Sequence, residues 1–266
     1  MKRLICALAL PLFFSQLFSQ NIQVDVFPVK KFYEKYYADA ISHQFSLSKH
    51  LESTEWNGNI GAQFPLFNFK IDSSSFQISV GATVYNTLIK TPGHVQVFTV
   101  DYLVDFYADY KLTENLIARF IWGHLSAHFS DDGITQLNYQ PVSYVRDYAG
   151  FHTQYLLPEI NGKVYAGGFY NFHNEPEVGR HFTYQIGCDA GYPLFKDFFV
   201  YAAVDIKIKS EVNYGTTRSF QAGFRYPNSN KYSFRLAYTH RAGFEERGQL
   251  YNISKNKNFL GFYFDF

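Results

Sequence analysis

From about residue 43 onward, apolar and polar side chains alternate along the chain. Phe76, Ile78, Val80, Ala82 and Val84 fall on one face of an extended segment, and Gln77, Ser79, Gly81 and Thr83 on the other. Val100, Tyr102, Val104, Phe106 and Ala108 oppose Asp101, Asp105, Tyr107 and Asp109. The pattern returns with Phe182, Tyr184, Ile186, Cys188 and Ala190, with Val200 to Ile208, with Phe220 to Phe224 and with Phe234 to Tyr238. Side chains on a strand alternate with period two, so this is a sheet with one greasy and one wet face. The segments predict about twelve strands, over 43–51, 57–67, 75–88, 95–110, 116–129, 141–157, 163–173, 181–192, 198–209, 216–226, 232–242 and 258–266.

The connections fall into two classes. Lys111–Asn115, Pro158–Gly162, Pro193–Asp197 and Pro227–Lys231 are short and carry Pro, Asn-Gly or Asn-Ser turn chemistry. Ser130–Gln140 and Ala242–Lys257 are long, and the two classes mostly alternate, as they do in up-and-down barrels. Asn68–Ser74 is longer than that rule prefers.

Ahead of the strands, Lys2 and Arg3 precede an apolar run from Leu4 to Phe14, followed by small and polar residues from Ser15 to Gln20. This predicts a signal peptide over 1–20, cleaved near Ser19 or Gln20, with an apolar run too short to span a bilayer. Residues 21–42, with Phe27-Pro28-Val29 and the mixed run Lys30 to Lys35, read as a periplasmic lead-in with room for a short amphipathic helix. The barrel domain is then 43–266.

Composition sharpens the choice of sheet. Aromatics make up 20% of the chain, with 29 Phe and 22 Tyr, while mean hydropathy is only −0.21. That combination fits a wall with an apolar outer band edged by aromatic girdles. Net charge is +1 and charged residues are 18%, which leaves no electrostatic footprint for nucleic acid. Cys6 lies in the signal run and Cys188 stands alone, so the mature chain has no internal disulfide. A soluble β-sandwich would also alternate, but it does not account for the signal segment, the aromatic excess and the aromatic last strand together. The expected fold is an all-β antiparallel transmembrane barrel in the outer membrane of a Gram-negative bacterium. Its wet face would put Asp101, Asp105, Asp109, Asp189, Asp205, Lys207, Arg225 and Arg235 in the lumen, where charges of both signs can pair or line a narrow path.

One strand carries candidate chemistry. In Trp122-Gly123-His124-Leu125-Ser126-Ala127-His128-Phe129, His124 and Ser126 share a face, and an imidazole beside a hydroxyl can make a nucleophile if a polar group on a neighbouring strand orients the ring. Alternation with Leu125, Ala127 and Phe129 turns His124, Ser126 and His128 inward. The same phase puts Arg119 outside and Phe120 and Trp122 inside, which a bulge near Gly123 or a snorkelling Arg119 would repair. His124 and His128 are roughly 13 Å apart along a strand at ~3.3 Å per residue, too far to share a metal ion. Asp131 and Asp132 fall in the following loop. No metal or cofactor is implied.

Three resemblances follow from these residues. The closing strand, with Leu260, Phe262, Phe264 and the terminal Phe266 on one face, resembles the assembly signal of bacterial outer-membrane barrels. This implies barrel assembly machinery and outer-membrane lipids as partners. The His-x-Ser spacing of His124 and Ser126 is similar to that of outer-membrane phospholipase A and the lipid A deacylases. Those hydrolases expose the pair on the outer wall, and the phospholipase has Asn where this chain has Ala127. The stretch His124 to Asp132 resembles the His-x-Ser-Ser-His-x-Gly-Asp-Glu signature of an uncharacterised bacterial outer-membrane family, departing at Ala127, Ser130 and Asp132. Phe27-Pro28, Ala38-Asp39, Gly61 to Leu66 and Arg146-Asp147-Tyr148 accompany it. The resemblance carries over His124, Ser126, His128, Asp131 and Arg146, with Arg146 expected to pair with Asp131 across the loop mouth. The functional expectation is a non-enzymatic narrow pore, ligand-binding or structural barrel. The alternative is a lipid hydrolase with Ser126 as nucleophile and His124 as base, which requires both on the outer wall.

Overall fold

A computed structural model describes residues 22–137, 140–228 and 232–265. The signal segment 1–20 and Phe266 lie outside the described residues. The strands are β1 (Ile22–Val26), β2 (Phe45–His50), β3 (Glu55–Ile71), β4 (Ser74–Thr91), β5 (His94–Lys111), β6 (Leu116–Phe129) and β7 (Tyr144–Leu157). Then come β8 (Gly162–Glu175), β9 (Phe182–Phe195), β10 (Phe198–Lys209), β11 (Gly215–Asn228), β12 (Tyr232–Phe244) and β13 (Ser254–Asp265). A single α-helix among the described residues, α1 (Asp131–Leu137), caps the β6–β7 connection.

β2 to β13 pair in sequence order, each antiparallel to the next, and β13 pairs back onto β2 from Phe264↔Phe45 to Phe259↔His50. The twelve expected strands thus form a closed barrel. Closure pairs the backbone groups that an open sheet would leave at its edges. β1 stands outside the ring. The short β2 covers only Trp56 to Asn59 of β3, and β1 takes up the far end of the same edge, from Phe67 to Ile71.

Two connections differ from expectation. β3 runs on to Ile71, so the turn expected over 68–74 is Asp72-Ser73 alone, with Asp72 in the left-handed region (φ 50°) that a tight hairpin turn requires. β13 begins at Ser254 rather than 258, because the polar run Ser254-Lys255-Asn256-Lys257 is paired with β12 although it shows no alternation.

The lumen is filled with protein. After Val26 the chain turns inward, and residues 27–44 pass through the barrel without forming a helix or strand. The segment read as a periplasmic lead-in is therefore a plug, with Tyr33, Ala38, Asp39, Ala40 and His43 buried. A chain without regular structure must find other partners for its backbone. Here wall amides supply them. Gln77 accepts from the Phe32 N–H (2.9 Å) and donates to the Lys30 carbonyl (2.8 Å). Gln154 does the same for both backbone groups of Glu34 (2.9 and 3.0 Å).

Charges fix the side chains. Asp39 meets Lys207 at 2.7 Å, Lys35 meets Asp265 at 2.7 Å, and His43 bridges Asp105 (2.9 Å) and Thr83 (2.8 Å). Tyr37 hydroxyl accepts from Arg225 (2.7 Å), and its ring faces Lys163 and Arg235. The wall's charged groups also find partners in the wall: Asp189 pairs with Lys163 (2.7 Å), Arg235 pairs with Asp265 (2.6 Å), and Asp205 accepts from the neutral donors Tyr165 and Gln185 (2.8 and 2.6 Å).

From the opposite end, the β12–β13 loop folds into the lumen, with residues 245–250 buried. Gly248 N–H donates to Asp101 (3.0 Å), and Gln249 donates to the Ala127 and Val142 carbonyls. Burial pushes the Glu246 carboxyl up, but the ammonium groups of Lys207 and Lys209 outweigh it and hold the group at about 2. A depressed folded-state pKa contributes stability above the unfolded value of about 4.5 and loses it as pH falls toward 2. The shift corresponds to something on the order of 3 kcal/mol. Hydrogen exchange of amides 245–253, corrected for intrinsic rates, is expected to be pH-independent from 7 to about 5 and to rise between 4.5 and 2. Unchanged protection at pH 2.5 would contradict this account of the loop.

Candidate functional site

The phase of β6 decides the site. Phe120, Trp122, His124 and His128 are exposed on the outer wall, and Ser126, half-buried, shares their face. Arg119, Ile121, Leu125, Ala127 and Phe129 point inward. This corrects the inward expectation for His124, Ser126 and His128. No bulge occurs in β6, whose register with β5 and β7 is continuous. Arg119 does not snorkel either. It turns inward and forms a two-pronged pair with Asp109 (2.6 and 2.7 Å). The apolar residues face inward because protein, not water, fills that part of the lumen. Phe129 packs with Phe98 and with Leu250 of the inserted loop, and Leu125 and Ala127 pack with Tyr85 and Tyr144.

On β7 the outer face reads Val145, Asp147, Ala149, Phe151, and pairing sets Asp147 opposite His124 on one side and His173 of β8 on the other. The two imidazoles clamp the carboxylate. His124 Nδ1–H donates to Asp147 Oδ1 at 2.5 Å, and His173 Nδ1–H donates to Oδ2 at 2.7 Å. His173 Nε2 lies 3.8 Å from Glu175, which accepts from Ser143 (2.6 Å). A proton on Nδ1 leaves the lone pair of neutral His124 on Nε2, the tautomer that a general base needs. Ser126, two residues further along the same face, sits between Tyr102 and Val145 in the pairing. The His-x-Ser pair and its orienting carboxylate thus occupy adjacent strands of one wall.

Other expected positions separate from this cluster. Asp131 and Asp132 are exposed in the first turn of α1, whose N-terminus Ser130 caps through its bond to Gly133 N–H (3.0 Å). Arg146 does not reach Asp131. It points inward to Glu211 (2.8 Å) because it is one residue out of phase with Asp147. His128 lies against Tyr102, ring centroids 6.1 Å apart. Among the described residues, no group of three or more His, Cys, Asp or Glu is arranged to hold a metal ion.

Sequence reasoning missed Asp147 and His173. The signal was present: Asp147 is the one charged residue on the alternate face of β7 that also carries Val145, Ala149 and Phe151. It gains meaning only when the phase of β6 is known.

A family model, Protein of unknown function (DUF1207), matches residues 36–266. The chain belongs to this family. The match begins within the plug and covers every strand of the barrel. Among solved structures, BamA from Haemophilus ducreyi lacking POTRA domains 1–3 is similar at 6% identity, with a TM-score of 0.33, covering 92% of this chain and 75% of that one. No curated protein matches the chain.

Proposed function

We propose that this DUF1207 barrel is an outer-membrane enzyme that works on its outer wall, hydrolysing acyl esters of membrane lipids with Ser126 as nucleophile, His124 as base and Asp147 as the group that orients His124. The observation that carries the reading is the His124–Asp147 hydrogen bond of 2.5 Å on the exposed face that Ser126 shares. A lumen filled from both ends by residues 27–44 and 245–250 weighs against the pore reading.

The surroundings support lipid as the substrate. Toward the short-turn rim, the outer faces of β6 and β7 are Trp122, Phe120, Ala118 and Leu116, and Ala149, Phe151, Thr153 and Tyr155. From Leu116 to Trp122 is roughly 20 Å of strand at ~3.3 Å per residue, or about 15 Å along the axis at a tilt of about 40°. An apolar band is about 25 Å tall. The polar cluster then sits in the upper part of the outer leaflet, at the depth of lipid ester groups. There, His124 Nε2 takes the Ser126 proton as Oγ adds to the ester carbonyl. The imidazolium returns the proton to the departing alcohol, and water attacks the acyl-serine by the same route.

The test is fatty-acid release from phospholipid and lipid A in mixed micelles. The parent chain is expected to release it from at least one of them, and Ser126→Ala to lose at least ~10³-fold in rate. A parent inactive on both substrates, or a Ser126→Ala variant as active as the parent, overturns the proposal.

A further inference from the structure

Beneath the His124–Asp147 pair, which forms its upper rim, the outer wall holds a groove of about 210 Å³, open along one side and lined further down by Val104, Phe106, Trp122, Gly123 and Phe172. Its construction is specific. Val104 stands opposite His124 across β5–β6, and Phe106 stands opposite Trp122, with their rings 6.0 Å apart. The other side is made by a bulge. β8 pairs His173 with Asp147 and Asn171 with Tyr148, which leaves Phe172 as an extra residue with its side chain half exposed outside. A bulge of this kind re-aims a side chain that regular pairing would bury. Without it, either Phe172 would turn inward and Asn171 outward, or His173 would turn inward and leave Asp147. One irregularity therefore supplies both the second imidazole of the clamp and the far wall of the groove.

We infer that this groove is a subsite for one fatty-acyl chain, seated with its carbonyl at Ser126 and its methylenes between Phe106–Trp122 and Phe172. The inference rests on the hydrolase reading for what happens at the carbonyl, but the subsite itself is a binding property. Ser126 to Trp122 spans about 13 Å of strand, and the groove is continuous with the apolar wall below, so a chain enters it sideways from the bilayer without crossing water. A headgroup would meet Glu175 instead, which lies in the same pairing row as Ser126 and Val145, above the groove whose upper rim is His124 and Asp147.

The experiment uses the full chain carrying Ser126→Ala, in nanodiscs containing a phosphatidylcholine with a diazirine midway along one acyl chain. After illumination, adducts are mapped by peptide mass spectrometry. Adducts are expected on Phe106, Trp122 and Phe172 at several times the yield on Phe182, which is exposed on β9 in the same pairing row as Trp122, Ala149 and Tyr170. Adding Phe172→Ala is expected to lower the yield on Trp122 at least threefold. Equal yields on Phe182 and the groove residues, or a Trp122 yield indifferent to Phe172→Ala, overturn the subsite. Because no turnover is needed, groove adducts in the Ser126→Ala chain together with a parent chain that hydrolyses neither phospholipid nor lipid A would sink the hydrolase and keep the subsite.

Discussion

Asp147→Asn is expected to lower the rate of acyl hydrolysis about 10⁴-fold while leaving His124 and Ser126 in place, by analogy with the tautomer trap in serine proteases. The carboxylate accepts two hydrogen bonds at once, from His124 Nδ1–H and His173 Nδ1–H. An amide of the same shape offers one acceptor oxygen and one NH₂ donor. If its oxygen stays with His173, the NH₂ faces His124 and forces the proton to Nε2. The ring then donates toward Ser126 and cannot take its proton. If the amide flips, His124 keeps its tautomer and His173 loses its own bond. Asp147→Asn is therefore expected to hold nearly all molecules in the first, dead arrangement, and combining it with His173→Ala should restore part of the rate by removing the competitor for the oxygen. Steady-state hydrolysis of a phospholipid in mixed micelles measures both. An Asp147→Asn rate within tenfold of the parent would show that Asp147 does not orient the base.

The barrel was legible because most of its outside is greasy. On β4, β5, β9 and β10 the alternate faces Phe76 to Val84, Val100 to Ala108, Phe182 to Ala190 and Val200 to Ile208 all turn outward, as their apolar character implies. The rule failed on β6, where the inner face is apolar too. Leu125, Ala127 and Phe129 meet Tyr85, Tyr144 and Leu250, so hydropathy at these positions reports a protein core rather than a bilayer. Arg119 carried the correct phase, since its two-pronged partner Asp109 lies on the wet face of β5. The plug was illegible for a different reason. Residues 27–44 have no period because each residue answers a different wall side chain: Lys30 and Phe32 to Gln77, Glu34 to Gln154, Asp39 to Lys207 and Gln185. Such pairings between residues distant in sequence leave no local trace.

Asp109→Ala is expected to destabilise the barrel by about 3–5 kcal/mol, the cost of leaving a buried charge without its partner. Arg119 is held on every side. Its guanidinium makes two bonds to Asp109, reaches Gln63 at 3.4 Å, and lies between the rings of Tyr33 and Tyr107, each 4.1 Å away. Tyr33 belongs to the plug, so the pair locks residues 27–44 to β5 and β6. Removing the carboxylate leaves the buried guanidinium with one weak neutral acceptor. The charge, rather than the lost contact, should dominate the cost. Asp109→Leu combined with Arg119→Met removes both charges and keeps most of the volume, so it is expected to recover more than half of the loss. By contrast, Glu114→Ala breaks an exposed pair with Lys111 (3.8 Å) and should change stability by less than about 1 kcal/mol. Reversible urea unfolding in detergent micelles, read from aromatic fluorescence, orders the three. If Asp109→Ala cost no more than Glu114→Ala, the buried pair would not hold the plug. A double variant as unstable as Asp109→Ala would assign the cost to lost packing around Tyr33 instead of to the stranded charge.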